Sequence, residues 1–301
     1  MAFRRRVRLG PIVCGVILAL AACAPDGGAG GAGDEGGGED GAGGLNLPAI
    51  SGALLDRMAL ESGERVLLVA RGGDRWDALV PLLREGVVAA GAVDLGVVDN
   101  YGAPLPGTAP ADFAAGLGQD AAGWAEALVE VDVAVKLPGA VPDPEVDHDV
   151  YRALQDVLRG GRGRTVHFHW AGATAFDMVE LPVDDRVDRL YQRALLDTDY
   201  GALAATLAAF EGTLREGAVR VTTPAGTDIR FEVGDRPVTK QDGDASAQRA
   251  AAARNLIDRE VELPPGAVRV SPVLETVEGV IAFPPALWGG ESVEGLVLRF
   301  E

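Results

Sequence analysis

The sequence predicts an α/β fold: an N-terminal parallel sheet flanked by helices, followed by a smaller strand-rich α+β region. Three observations carry this. The first is a set of strand-like runs, Val66 to Ala70, Val93 to Val98, Val131 to Leu137 and Thr165 to His169. Val66-Leu67-Leu68-Val69-Ala70 is continuously apolar, as a strand covered on both faces is. The second is helical spacing between the runs, which makes a β-α-β-α-β-α-β order and a sheet with right-handed crossovers. The third is a change of texture from Ala218, where short strands are punctuated by Gly and Pro.

In chain order, Leu54, Leu55, Met58 and Leu60 predict a short opening helix. Asp74 suits the cap of the next, in which Trp76, Leu79, Val80, Leu83 and Val87 recur at helical spacing. Trp124 and Leu128 mark another helix, and residues 149–159 one more. A helical pair follows, with stripes Val187, Leu190, Tyr191, Ala194 and Leu203, Leu207, Phe210, Leu214. Asp197-Thr198-Asp199 is the cap between them. The later strands read as Val219 to Thr222, Ile229 to Val233, Val268 to Val270, Val280 to Phe283 and Leu296 to Phe300.

The N-terminus reads as an address. Arg4, Arg5, Arg6 and Arg8 precede a short apolar stretch, Pro11 to Ala19, that suits a secretory leader and is too short to span a membrane. It ends in Leu20-Ala21-Ala22-Cys23, which resembles a bacterial lipobox, so residues 1–22 are expected to be removed and Cys23 lipidated. The chain is then an exported lipoprotein, membrane-anchored in the periplasm or at the cell surface. Residues 23–44 are almost wholly Gly, Ala, Asp and Glu and cannot form a core. They make a tether spanning about 25 Å as a Gly-rich coil. The folded part divides into 45–216, the α/β domain, and 217–301, the strand-rich domain.

Composition excludes several functions. At 48% hydrophobic and 24% charged, the chain is globular. Its net charge of −18 repels phosphate backbones, so nucleic acid is not a partner. Loss of the leader removes Cys14 and leaves no thiol for catalysis or metal binding once Cys23 is lipidated. Arg71-Gly72-Gly73-Asp74 lacks the dinucleotide-binding glycines, and no Walker A, Gly-x-Ser-x-Gly or His-Glu-x-x-His pattern occurs.

Three histidines remain. His167 and His169 alternate along one strand and project to one face. With Asp177 they suit a divalent-metal site, against a plain reading in which one imidazole is buried and the other lies at the rim. His148, between two Asp, suits a solvated helix start. Glu275 and Glu278 suit a loop with exposed charges, and Asp228 a turn that its own side chain caps.

The run Val219 to Phe231, with Gly226-Thr227-Asp228 at its turn, resembles the Gly-Thr-Asp segment of the aminopeptidase T family of two-metal aminopeptidases. Leu263-Pro264-Pro265-Gly266-Ala267-Val268, Ser271-Pro272 and Val277-Glu278-Gly279-Val280 are similar to a second motif series of that family, in order and spacing. The resemblance covers about residues 50 to 301 and implies a peptide substrate and zinc or cobalt in intact relatives. The family's metal-binding Glu after Pro-x-Gly is Ala267 here, whose methyl group coordinates nothing. Its other ligands lie in a C-terminal region beyond the segment Leu296 to Glu301, which looks like part of a strand pair. No catalytic residue is therefore carried over. The expectation is an aminopeptidase-like lipoprotein, inactive or fragmentary, whose last strand leaves an edge open to a second copy. The alternatives are a binding lipoprotein for a peptide or small molecule, with His167, His169 and Trp170 in its pocket, and a metalloenzyme using the His167/His169 pair.

Overall fold

The computed structural model describes residues 16–19, 44–70, 75–99, 128–139, 156, 159–170, 184–288 and 291–301. It is α/β, and the chain divides into two compact units. Among the described residues no helix is long and apolar enough to cross a membrane.

The first unit runs from Ala21 to Leu203 and adds Gln241–Gly266. Its centre is a five-stranded parallel sheet of β1 (Arg65–Ala70), β2 (Val93–Asp99), β3 (Val133–Lys136), β4 (Arg164–Phe168) and β8 (Glu260–Leu263), in the order β2-β1-β3-β4-β8. Among the described residues, helices α1 (Leu47–Met58), α2 (Leu79–Ala89) and α3 (Asp185–Leu196) accompany it, with a short helical stretch over Ala247–Ala251. The Asn46 side chain caps α1 by accepting from the Ala49 amide, and the Asp184 carboxylate caps α3 by accepting from the Arg186 and Val187 amides. The opening helix thus starts earlier than its apolar stripe indicated. Helix α2 starts at Leu79 behind Ala78, which makes no side-chain cap, and Trp76 sits in the preceding turn. Asp74, Trp124 and most of 149–159 lie outside the described residues.

Pairing register sorts the sheet's side chains. Val66, Leu68, Ala70, Val133, Val135, Leu137, Val166, Phe168, Val261 and Leu263 share one face and form the core with Ile50, Leu54, Met58, Leu79, Leu83 and Leu195. The core is closed at the amino ends of the strands by Arg164. Its buried guanidinium makes a two-pronged pair with Glu64 at 2.5 and 2.9 Å, and donates to the carbonyls of Ala245 at 2.6 Å and Met58 at 3.3 Å.

The second unit holds Met1–Leu20, of which Val16–Ala19 is described, with Ala204–Lys240 and Ala267–Glu301. Helix α4 (Tyr200–Arg215) carries the chain into it, capped by Asp199, which accepts from the Ala202 amide at 2.9 Å. Strands β5 (Ala218–Thr222), β6 (Asp228–Glu232), β10 (Glu278–Ala282) and β13 (Val297–Phe300) form an antiparallel sheet in the order β13-β10-β6-β5. Burial along β6 alternates strictly, with Ile229 and Phe231 inside, as an antiparallel strand with one wet face requires. Strand β9 (Ala267–Val270) lies between β7 (Val238–Gln241) and a short strand over Val16–Ala19, and β11 (Ala286–Trp288) pairs with β12 (Glu291–Val293).

The strand-rich region is therefore not the continuous stretch 217–301. Gln241–Gly266 returns to the parallel sheet and supplies its edge strand β8. Buried Gln241 covers that edge: its amide donates to the Glu260 carbonyl at 2.8 Å and accepts from the Glu262 amide at 3.0 Å.

Removing Arg164 strands a carboxylate and two carbonyls. We expect Arg164→Ala to cost about 3–5 kcal/mol of unfolding free energy in urea titrations. Burial alone would raise the Glu64 carboxyl, but bonds from Arg164 and the Glu61 amide hold it below the usual range. Its stabilisation is present above the ordinary carboxylate pKa and is lost as pH falls through the depressed value, below about pH 4. Glu64→Gln should flatten that acid slope.

Candidate functional site

The face of the sheet opposite the core is not uniformly apolar. On β1 it carries Leu67 and Val69, and on β3 Ala134, all buried. From β3 to β8 it becomes ionisable. Register places Lys136 beside His167 and His167 beside Glu262, with Thr165 beside Glu260 one step below. His169 follows at the carboxyl end of β4, where its amide donates to the Leu263 carbonyl at 2.7 Å. A parallel sheet ordinarily fills both faces with aliphatic side chains, so this row departs from the rule. It reaches the carboxyl ends of the strands, where open α/β sheets bind ligands.

The imidazoles of His167 and His169 lie together, with ring centroids 5.4 Å apart. Each faces a carboxylate across the β4–β8 pairing. His167 Nε2 is 3.5 Å from Glu260 Oε1, and His169 Nε2 is 3.7 Å from Glu262 Oε1. Lys136 Nζ stands 4.0 Å from the same Glu260 oxygen. Side-chain exposure rises along the row from 4% at Lys136 to 43% at His169, so it runs from a dry floor to an open rim. Burial pushes the Lys136 ammonium down to about 8, and the negative charge of Glu260 opposes that shift.

Two parts of the sequence reading are corrected here. Trp170 does not share a pocket with the histidines. It lies on the core face, where its indole N–H donates to Asp188 at 2.8 Å. Asp228 does not cap its turn. It makes a forked, exposed pair with Arg220 at 2.8 Å for each contact, which holds its carboxyl below the usual range. Asp177 and His148 lie outside the described residues, as does Cys23. Among the described residues, no three His, Cys, Asp or Glu side chains are grouped to hold a metal ion.

The residues that carry the family resemblance serve strand pairing. Thr227 bridges to β10: its hydroxyl accepts from the Ala282 amide at 3.0 Å and donates to the Ala282 carbonyl at 3.2 Å. Gly226 takes a φ of +105° in the turn before it. Gly279 lies so close to β6 that a Cβ there would sit 2.2 Å from the Asp228 carbonyl oxygen. Glu278 pairs across the strands with Arg230 at 3.7 Å. Pro265 and Gly266 carry the chain out of β8, with the Gly266 amide donating to the Gln241 carbonyl at 2.8 Å, and Ala267 opens β9. Glu275 sits in a short 3-10 turn.

Sequence reading missed Lys136, Glu260 and Glu262. The signal for the carboxylates was present in Glu260-Val261-Glu262-Leu263, which alternates charged and apolar residues as a strand with unlike faces does. Lys136 ends the apolar run Val133-Ala134-Val135, and only pairing with β4 sets it beside His167.

The fold is similar to that of AmpT from Thermus thermophilus, with a TM-score of 0.50 and 22% identity, over 84% of this chain and 69% of that one. At that identity the likeness is one of fold. An aminotransferase from Mycobacterium tuberculosis aligns at a TM-score of 0.27 and 13% identity over 75% of this chain and 70% of that one, too low to carry an argument. No family model and no curated protein matches the chain.

The depressed Lys136 makes a prediction with a definite sign. Between about pH 8 and its ordinary value near 10.5, the unfolded chain binds a proton that the folded chain does not. Lys136 therefore adds stability as pH rises through that window. Urea titrations at pH 8, 9 and 10 should show this gain in the wild type and its loss in Lys136→Met.

Proposed function

We propose that this chain is a lipid-anchored, extracytoplasmic protein on an aminopeptidase T-type scaffold that engages peptides without hydrolysing them. The observation that carries the reading is the ordered set Gly226-Thr227-Asp228, Pro265-Gly266 and Glu278-Gly279. The fold similarity to AmpT agrees with it. The lipobox-like Leu20-Ala21-Ala22-Cys23 and the Gly-rich acidic tether support the anchor.

The two metal ions of the resembled family do not fit the residues described here. Ala267 stands where that family has a metal-binding Glu, and no three described donors converge. A hydroxide-generating, carbonyl-polarising centre needs such donors, and the described residues do not group them.

A second reading is favoured by the ionisable row of β3, β4 and β8: a binding lipoprotein that takes a small molecule there. Buried ionisable groups on an interior sheet face cost stability, and a ligand site is a reason to keep them.

Three measurements test these readings. Cys23→Ala should move the chain from the membrane to the soluble fraction and abolish palmitate labelling; unchanged membrane retention would overturn the anchor. The purified chain should carry substoichiometric metal and leave leucine p-nitroanilide uncleaved with or without added zinc or cobalt. Metal-dependent turnover would overturn the non-hydrolytic reading, and stoichiometric metal lost in His169→Ala would point to a metal centre at the histidine pair instead.

A further inference from the structure

We propose that the outer edge of β9 is a docking site for an extended apolar peptide, which joins the sheet there as an antiparallel strand. The proposal rests on the reading of the chain as a processed lipoprotein that engages peptides, and it names where and how the peptide binds. Strand β9 has β7 on one side. On its other side, among the described residues, runs the backbone of Val16–Ala19. The pairing is antiparallel, with Val16 opposite Val270, Ile17 opposite Arg269, Leu18 opposite Val268 and Ala19 opposite Ala267. Those residues belong to the leader, which is expected to be removed before Cys23. Processing then takes away the strand that covers β9 and turns a row of backbone donors and acceptors outward.

The edge of β8 offers a contrast. There Gln241, a residue of the folded part, supplies the amide that pairs with Glu260 and Glu262. Strand β9 has a removable segment in the equivalent place. Its Ala267-Val268-Arg269-Val270 contains no Pro, and Arg269 is its one charge, so the strand carries little of what ordinarily blunts an edge. Main-chain pairing along such an edge supplies affinity for an extended peptide, and side chains at alternate positions supply selectivity.

Burial along β9 sets which positions select. Val268 is 3% exposed, while Ala267, Arg269 and Val270 are half-buried. Residues directly opposite each other in an antiparallel pair share a face. The peptide residue opposite Val268 therefore joins the covered face and must be apolar, and the leader has Leu18 at that register position. The residue opposite Arg269 belongs to the other face, where a carboxylate is favoured by the positive charge across the pair. A one-residue slip would exchange the two faces, so the register is specified. The expected ligand is an extended segment at least as long as Val16–Ala19, apolar at the Leu18 position and tolerant of an acidic residue at the Ile17 position.

The test is fluorescence anisotropy of a dye-labelled peptide with the sequence of residues 15–20, Gly-Val-Ile-Leu-Ala-Leu, added to the full 301-residue chain and to the processed chain that begins at Cys23. The processed chain should bind it saturably. The full chain should bind about tenfold more weakly or worse, because its own strand competes at the high effective concentration of a tethered segment. Only every second amide of an added edge strand points at its neighbour. One peptide is N-methylated at Val16 and Leu18 and another at Ile17 and Ala19; one of the two should lose binding and the other keep it. Leu18→Asp in the peptide should cost about tenfold, and Ile17→Asp much less. No saturable binding to the processed chain, equal binding to both chains, or equal losses within either pair of altered peptides overturns the proposal. Dimerisation of the processed chain that the peptide does not reverse also overturns it, and assigns the edge to a second copy. Hydrolysis, metal and palmitate assays report on the aminopeptidase-type lipoprotein reading separately, so either idea can fail alone.

Discussion

The parallel sheet is organised around Arg164. One buried guanidinium holds the end of α1 through Met58, the approach to β1 through Glu64, and the returning segment through Ala245. The last contact matters most for the chemistry of the molecule. It fastens the excursion that brings β8 back beside β4, and with β8 come Glu260 and Glu262. Without that return, His167 and His169 would face no carboxylates across the strand pairing.

A second constraint shapes the same strand. Strand β8 is an edge, and an edge exposes unpaired donors and acceptors. Gln241 answers by presenting its side-chain amide as a backbone-like partner to Glu260 and Glu262. The segment that supplies β8 thus also supplies the group that seals it. The polar face of the sheet is then sustained by local pairs, Lys136 with Glu260 and each imidazole with its own glutamate. Such pairs offset desolvation without contributing much net stability.

The residues that resemble a peptidase family's motifs belong to strand pairing. Gly279 permits two strands to approach, Thr227 bridges them, and Glu278 pairs across them. A sequence pattern can persist because a sheet requires it, even where a neighbouring position such as Ala267 has no ligand to offer. Resemblance at these positions therefore speaks first to architecture.

Much of the molecule was legible in the sequence. A continuous apolar run foretold β1, and strand-like runs foretold β2 to β4, because a strand buried on both faces leaves little room for charge. Alternation foretold β6, and Asp199 foretold the start of α4. The shared face of His167 and His169 followed from the period of a strand. What the sequence alone could not decide was which distant segments meet. Residues 260–263 join the parallel sheet through hydrogen bonds to a strand almost a hundred positions earlier, and no local signal encodes that pairing. The same holds for Arg164 with Glu64. Local periodicity is set by backbone geometry and can be read along the chain. The partners of a buried charge are set by the topology that brings them together, and only the tertiary structure contains them.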